Sequence, residues 1–175
     1  MSRTIRAVTA IAALATACVG LSGKVQAGTA TANLTVQMTI NASCTVSTAT
    51  LTFPPTAGTS LTATAVTGTT TMQVNCTNTS PYSIGMGQGA NYSAGTNRMA
   101  SSGNYLPYGL YVDGAYTHPW TTGATNSSCT TTNDCYLGTG NGSAQTISIY
   151  GQVPTTATAP TPGTYTDTVT MTVTY

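Results

Sequence analysis

The sequence predicts an all-β domain, an antiparallel sandwich or barrel, and three observations support this prediction. Apolar and polar residues alternate near both ends of the chain, in residues 30–40 and 165–175. Period-two alternation is typical of half-buried strands. Between these ends, apolar residues alternate or form short groups bounded by Gly, Pro, Asn and Ser, and no helical period occurs beyond residue 27. Short strands at this spacing favour a single antiparallel sandwich domain.

The predicted strands follow one another with turn residues between them. The first and last cover residues 30–40 and 165–175, each with apolar side chains on one face and polar side chains, mainly threonine, on the other. The other six cover residues 44–48, 50–53, 68–76, 82–87, 105–112 and 144–153. Turns are predicted at Pro54-Pro55, Asp113-Gly114 and Pro162-Gly163, and a long polar loop is predicted over residues 121–142.

The beginning of the chain has the pattern of an export signal. Two arginines precede an apolar stretch, residues 7–21, and small residues stand at Val25-Gln26-Ala27, the spacing that signal peptidase reads. We expect residues 1–27 to be a signal peptide, with the exported chain beginning at Gly28. A membrane anchor fits less well because the stretch is short and interrupted by polar residues. A lipoprotein signal at Cys18 lacks the usual apolar residue three positions before the cysteine.

Charge is almost absent from the expected exported chain. Only 4% of the whole sequence is charged. Beyond the expected signal, Arg98 is the only Lys or Arg, and the acidic side chains are Asp113, Asp134 and Asp167. Nucleic-acid binding by counterion release needs several cations on one face, so we expect no nucleic-acid partner. The sequence also lacks a polybasic surface for anionic lipid.

Cysteines in an exported chain of this size indicate disulfides. Cys44, Cys76, Cys129 and Cys135 remain after the expected signal, and three pairings are possible. The proximity of Cys129 and Cys135 in one polar loop favours a local bridge, which leaves Cys44 for Cys76. A metal site is the weaker alternative because neither pair has CxxC spacing and the chain has 1 histidine. We therefore expect no metal and no cofactor.

Three segments of the sequence resemble the spore coat protein U domain family. They are Ile40-Asn41-Ala42-Ser43-Cys44-Thr45-Val46, Gln73-Val74-Asn75-Cys76 and the run from Gly163-Thr164-Tyr165-Thr166-Asp167-Thr168-Val169 to Tyr175. The family includes subunits of archaic chaperone-usher pili, such as the major rod pilin of the Csu type. The resemblance covers nearly the whole expected exported chain, and it is looser over residues 89–142.

The resemblance implies an incomplete immunoglobulin-like antiparallel β-sandwich that lacks its last strand and is completed by a donor strand. Residues 28–41 would be the donor segment and residues 42–175 the pilin domain. The donor positions would be Leu34, Val36, Met38 and Ile40, and the acceptor groove and chaperone contact would include Val169, Met171, Val173 and Tyr175. The partners implied are identical or homologous pilin subunits, a periplasmic chaperone and an outer-membrane usher. The expected location is the periplasm in transit and then a cell-surface fimbria that supports adhesion and biofilm formation.

Other functions are compatible with parts of the pattern. A secreted spore-coat or matrix protein could fold as a complete monomeric sandwich in which the two end strands pair. A carbohydrate-binding module could stack sugars on Trp120 and the nearby tyrosines, although packing inside the domain is the more ordinary use of such residues. An enzyme would need a base beside a nucleophile, and His118 with Asp113 lacks any supporting motif. We therefore expect that the protein is not an enzyme.

Overall fold

The computed structural model describes residues 26–120 and 135–175. The chain divides into two units, Met1–Met38 and Thr39–Tyr175. In the first unit, residues 26–38 contain no helix or strand, and all of them are exposed. The expected signal peptide lies almost entirely outside the described residues, so that it stays a prediction.

The described part of the second unit contains eight β-strands and one short 3-10 helix, Ser60–Thr62. The strands are β1 (Cys44–Val46), β2 (Val66–Cys76), β3 (Pro81–Gly89), β4 (Asn97–Ser101), β5 (Asn104–Tyr111), β6 (Tyr136–Thr139), β7 (Gln145–Val153) and β8 (Val169–Thr174). All the strand pairings are antiparallel. One sheet has the order β1-β2-β7-β5-β4, and the other has the order β6-β3-β8.

The two sheets share one hydrophobic core, as the alternation in the strands requires. Met72 on β2 pairs with Ile147 on β7, and both side chains are buried on the inner face of the five-stranded sheet. Tyr82, Ile84 and Met86 alternate along β3 and bury against the same core. The predicted all-β fold class is therefore confirmed, with two antiparallel sheets face to face.

A disulfide fastens β1 to the five-stranded sheet. Cys44 and Cys76 are directly opposed in the β1–β2 pairing, and their sulfur atoms are bonded. The predicted Cys44–Cys76 bridge is confirmed. Cys135 is buried and also in a disulfide, whereas Cys129 lies outside the described residues, so that the predicted Cys129–Cys135 bridge stays a prediction.

Two predicted strands are absent and two others are shorter than predicted, since β1 ends at Val46 and not at residue 48 and the last strand is also shortened. Residues 30–40 and 50–53 form no strand, although both alternate. A strand requires a hydrogen-bonded neighbour, and no backbone pairing involves either segment in the part of the chain that the structure describes. The last strand begins at Val169 and not at residue 165, because Thr166 instead pairs with Ala100 through hydrogen bonds of 2.8 and 3.1 Å.

Two observed strands were not predicted. β4 lacks alternation and contains Arg98, so its strand conformation depends on pairing with β5 across a tight turn. Ser102 and Gly103 in this turn both have positive φ, 48° and 83°. This conformation fits the two-residue hairpin turns that match strand twist. β6 is a four-residue strand inside the predicted polar loop, and it pairs with the first half of β3.

Candidate functional site

A cleft of about 1010 Å³ opens between the two sheets of the second unit. One wall is formed by residues 49–58 and the other by residues 160–169 with Met171. Its floor consists of buried core side chains from both sheets, including Met86, Leu106, Leu110, Ile149 and Val153. The interior of the sandwich is therefore open to the surface along one side.

The first wall has the shape of a strand without a neighbour. Ala49, Leu51 and Phe53 are half-buried and pack against the core, whereas the threonines between them are exposed. Leu51 and Phe53 occupy space above two glycines, Gly68 and Gly151, that face each other on β2 and β7. A β-carbon on Gly151 would overlap Leu51 and lie 3.0 Å from Phe53. The glycines thus let this segment approach the inner face of the five-stranded sheet.

The second wall is the open edge of the three-stranded sheet. Among residues 26–120 and 135–175, β8 pairs with β3 alone, on one side. The Thr168 carbonyl accepts a hydrogen bond from the backbone N–H of Ala90, on the β3 side. Because backbone groups of successive strand residues point to opposite edges, those of Val169 and Met171 point to the open edge. The cleft therefore has an unpaired strand edge along this wall.

The four residues predicted for the acceptor groove have different positions. Val169 and Met171 line the cleft and are half-buried. Val173 packs against the core without lining the cleft, and it lies opposite Ile84 on β3. Tyr175 follows the end of β8 and is 55% exposed.

The predicted donor residues are among the most exposed apolar side chains described. Leu34, Val36, Met38 and Ile40 have 87%, 85%, 84% and 76% of their surface exposed. Scattered exposed leucines are ordinary on protein surfaces, but four large apolar residues at alternate positions form a continuous apolar stripe. A stripe of this kind is typical of a segment that is buried by a partner.

A polar network holds the rim of the cleft beside β8. The Tyr108 hydroxyl donates to Oδ2 of Asp167, and the backbone and side-chain N–H groups of Asn91 donate to Oδ1. Arg98 Nε in turn donates to the Asn91 carbonyl. Burial, together with the hydrogen bond and negative charge of Asp167, raises the pKa of Tyr108 far above its usual value. The tyrosine therefore stays a protonated donor, and Asp167 is held by two segments distant in sequence.

The residues considered for sugar binding and catalysis make contacts inside the domain. Trp120 is 7% exposed, so that its ring is not a surface platform. The carboxylate of Asp113 accepts hydrogen bonds from the backbone N–H groups of Thr117 and His118 and from the Thr117 hydroxyl. Although desolvation opposes ionisation, these hydrogen bonds lower the pKa of Asp113. Asp113 thus organises its own loop and contacts the backbone of His118.

Within residues 26–120 and 135–175, no cluster of three or more His, Cys, Asp or Glu side chains could hold a metal ion. None of the helices found in these ranges has the length and apolar character needed to cross a bilayer.

Sequence reasoning missed the first wall of the cleft as part of the site. The signal was present, since the alternation of residues 49–53 ends at two consecutive prolines. It predicted a strand paired within a sheet, whereas the structure has an extended segment with an open side.

A family model described as the Spore Coat Protein U domain matches residues 30–172. The chain belongs to this family.

A solved structure supports the fold of this spore coat protein U domain. It is the crystal structure of the CsuC–CsuE chaperone–tip adhesion subunit pre-assembly complex from the archaic chaperone-usher Csu pili of Acinetobacter baumannii. The TM-score is 0.51 at 18% sequence identity, over 78% of this chain and 40% of that chain. The domain thus spans less than half of the protein it resembles. Among curated proteins, none matches the chain.

Proposed function

We propose that this spore coat protein U domain is a structural subunit of a surface fimbria assembled by donor-strand exchange. Residues 30–40 of one copy would fill the cleft of the next copy, with Leu34, Val36, Met38 and Ile40 directed inward. The observation that carries the proposal is the cleft itself, which is bordered by two extended segments with open sides. The occupant proposed is a segment of the same chain whose apolar stripe is exposed.

The geometry gives the added strand two kinds of contact. Its backbone would pair with the open edge at Val169 and Met171, and its apolar side chains would rest on the buried floor, for example on Leu110 and Ile149. Each large apolar side chain that becomes fully buried contributes about 1.5–3 kcal/mol before ordering costs. Several such side chains on one strand account for a stable junction between subunits.

Head-to-tail insertion produces a fibre. The donor segment and the cleft are different surfaces of one chain, so each added copy leaves one of each unused. A strand edge beside an apolar cleft is also an aggregation hazard before assembly. We therefore propose that a periplasmic chaperone covers the cleft first and that an outer-membrane usher exports the subunit. The structural neighbour was solved with a chaperone, which supports this part of the proposal.

The remaining elements of the proposal follow from this assembly. The subunit would be exported and end on the cell surface, and the fibre would support adhesion and biofilm formation. We propose a structural role and no enzymatic one, because the carboxylate of Asp113 already binds its own loop.

A second candidate is a secreted coat or matrix protein that stays a monomeric sandwich. It is favoured by the core, since Met72, Val74 and Ile84 are fully buried in a single copy. The two candidates differ in what the chain does alone. A chain beginning at Gly28 that remains a monodisperse monomer at high concentration would favour the coat protein.

The experiment compares two single substitutions on opposite faces of the donor segment. Met38→Asp places a charge on the apolar face, and the matched control Gln37→Asp places one on the polar face. We expect Met38→Asp to prevent fibre formation by the chain beginning at Gly28, whereas Gln37→Asp still forms fibres, as measured by sedimentation and electron microscopy. Equal polymerisation of the two variants would contradict donor-strand exchange. Deletion of residues 28–41 should leave a domain that binds chaperone and forms no fibres.

A further inference from the structure

The cleft ends where two proline-containing segments meet. Pro54 and Pro55 lie in the first wall after residues 49–53, and Pro160 and Pro162 lie in the second wall before β8. We call these four residues the proline gate. A β-carbon on Gly58 would lie 2.8 Å from the Pro160 carbonyl oxygen, so the backbone of the first wall, three residues after Pro55, contacts the backbone of Pro160. The space between the walls is therefore closed at this end.

The backbone of the gate cannot pair with an added strand. Proline has no backbone N–H, and two consecutive prolines remove the donors at both positions that follow Phe53. The Pro54 carbonyl already accepts a hydrogen bond from the Thr56 hydroxyl at 2.9 Å. On the first wall, the continuous run of residues that can pair before the two prolines is therefore residues 49–53.

The opposite wall is limited at the same end. Thr166 exchanges both of its backbone hydrogen bonds with Ala100 on β4, so that these groups are occupied. Farther from β8, Pro160 and Pro162 lack donors, and the Thr161 carbonyl accepts from the Tyr165 hydroxyl at 2.8 Å. A β-carbon on Gly163 would lie 2.5 Å from Ser101 Oγ, which shows how closely this segment lies against the end of β4.

We propose that the proline gate is a stop that sets the register of the inserted donor strand. This inference rests on the proposed donor-strand exchange. Residues 49–53 on the first wall and β8 on the second wall each offer a run of only about five or six residues, and alternate residues of a strand face the same side. Three of the four apolar donor side chains occupy the cleft at one time, and the fourth lies outside the paired stretch. The gate thus selects one register among several that a repeating apolar pattern would allow.

Hydrogen exchange of donor amides in assembled fibres tests the inference. In fibres of the chain beginning at Gly28, we expect a protected run of about five or six consecutive amides within residues 30–40, with a sharp boundary. The variant Pro54→Ala with Pro55→Ala restores two N–H donors, and its protected run should lengthen or shift by about two residues. Pro81→Ala is the matched control, since Pro81 is exposed at the start of β3 and does not line the cleft. It should leave the boundary unchanged.

The outcomes separate the gate from the proposed function. Fibres whose donor amides are protected throughout residues 30–40, or an unchanged boundary in the gate variant, would overturn the gate and leave donor-strand exchange intact. Donor amides that exchange freely in wild-type fibres would overturn donor-strand exchange and the gate together. If the gate variant fails to fold, the length of the protected run in wild-type fibres still decides whether the gate limits the paired stretch.

Discussion

The Tyr108 hydroxyl and the carboxylate of Asp167 are joined by a 2.6 Å hydrogen bond at the rim of the cleft. Tyr108 belongs to β5 in one sheet, and Asp167 stands just before β8 in the other. The second carboxylate oxygen accepts two hydrogen bonds from Asn91, on the connection between β3 and β4. The Asp167 carboxylate therefore ties the second wall of the cleft to the five-stranded sheet just before β8 begins.

The first prediction concerns this hydrogen bond. Tyr108→Phe removes the donor and leaves Asp167 Oδ2 with an unmet acceptor in a partly buried site. We expect the free energy of unfolding to fall by about 1–3 kcal/mol, as measured by urea denaturation, because bonds to charged groups are stronger than neutral ones. Tyr105→Phe is the control, since Tyr105 is 50% exposed and should change stability by less than about 0.5 kcal/mol. Equal effects of the two substitutions would contradict the role assigned to the bond.

Alkaline pH should destabilise the domain. Burial raises the pKa of Tyr108, with further contributions from Asp167, and burial and Tyr136 raise the pKa of Tyr82. The usual value of 10.0 applies to the unfolded chain. A raised pKa in the folded state means that the stability contribution is complete below pH 10.0 and is lost as the pH rises above it.

Urea denaturation between pH 8 and 11 measures this effect. We expect the free energy of unfolding to be nearly constant up to about pH 10 and to decline above it. In Tyr108→Phe the decline should be shallower, because one of the two shifted groups is gone. A stability that rises above pH 10, or an identical decline in the variant, would contradict the assignment.

The disulfide between Cys44 and Cys76 should contribute substantially to stability. It closes a loop with a sequence separation of 32 residues. Loop entropy gives a contribution of about 3–4 kcal/mol for a loop of this length. The double variant Cys44→Ala with Cys76→Ala should lose about this amount in urea denaturation. Reductant should cost the wild-type protein at least this much, because it also reduces the disulfide of Cys135. A change below about 1 kcal/mol in the double variant would indicate that the β1–β2 pairing suffices without the bond.

Sequence patterns predicted the strands that find partners within the chain and failed where the partner is missing. β2, β5 and β7 were predicted within two residues of their observed ends because alternation and pairing agree there. Residues 50–53 have the same alternation, yet the neighbour that would make them a strand is absent from the single chain. Alternation reports which side chains are buried, whereas a strand also depends on a hydrogen-bonded edge.

Contacts between residues that are distant in sequence could not be predicted from the sequence. Asp167 lies in the segment that carries the family resemblance, but nothing in its neighbourhood indicates Tyr108, 59 positions away. β4 was missed for a related reason, since its five residues become a strand through the turn at Ser102 and Gly103 and through pairing with β5. Both features depend on the register of the sheets, which local composition does not specify.

Fibre assembly should be almost independent of salt. Residues 30–40 contain no charged side chain, and among the described residues Asp167 is the single charged one that lines the cleft. Screening by salt weakens interactions between exposed charges, and it has little to act on at a junction formed by apolar side chains and backbone hydrogen bonds. The critical concentration for fibre formation should change by less than about twofold between 50 and 500 mM NaCl, since only charge pairs respond strongly over this range. A tenfold change would mean that charged groups outside the cleft contribute to the junction, and the apolar strand would then not account for assembly by itself.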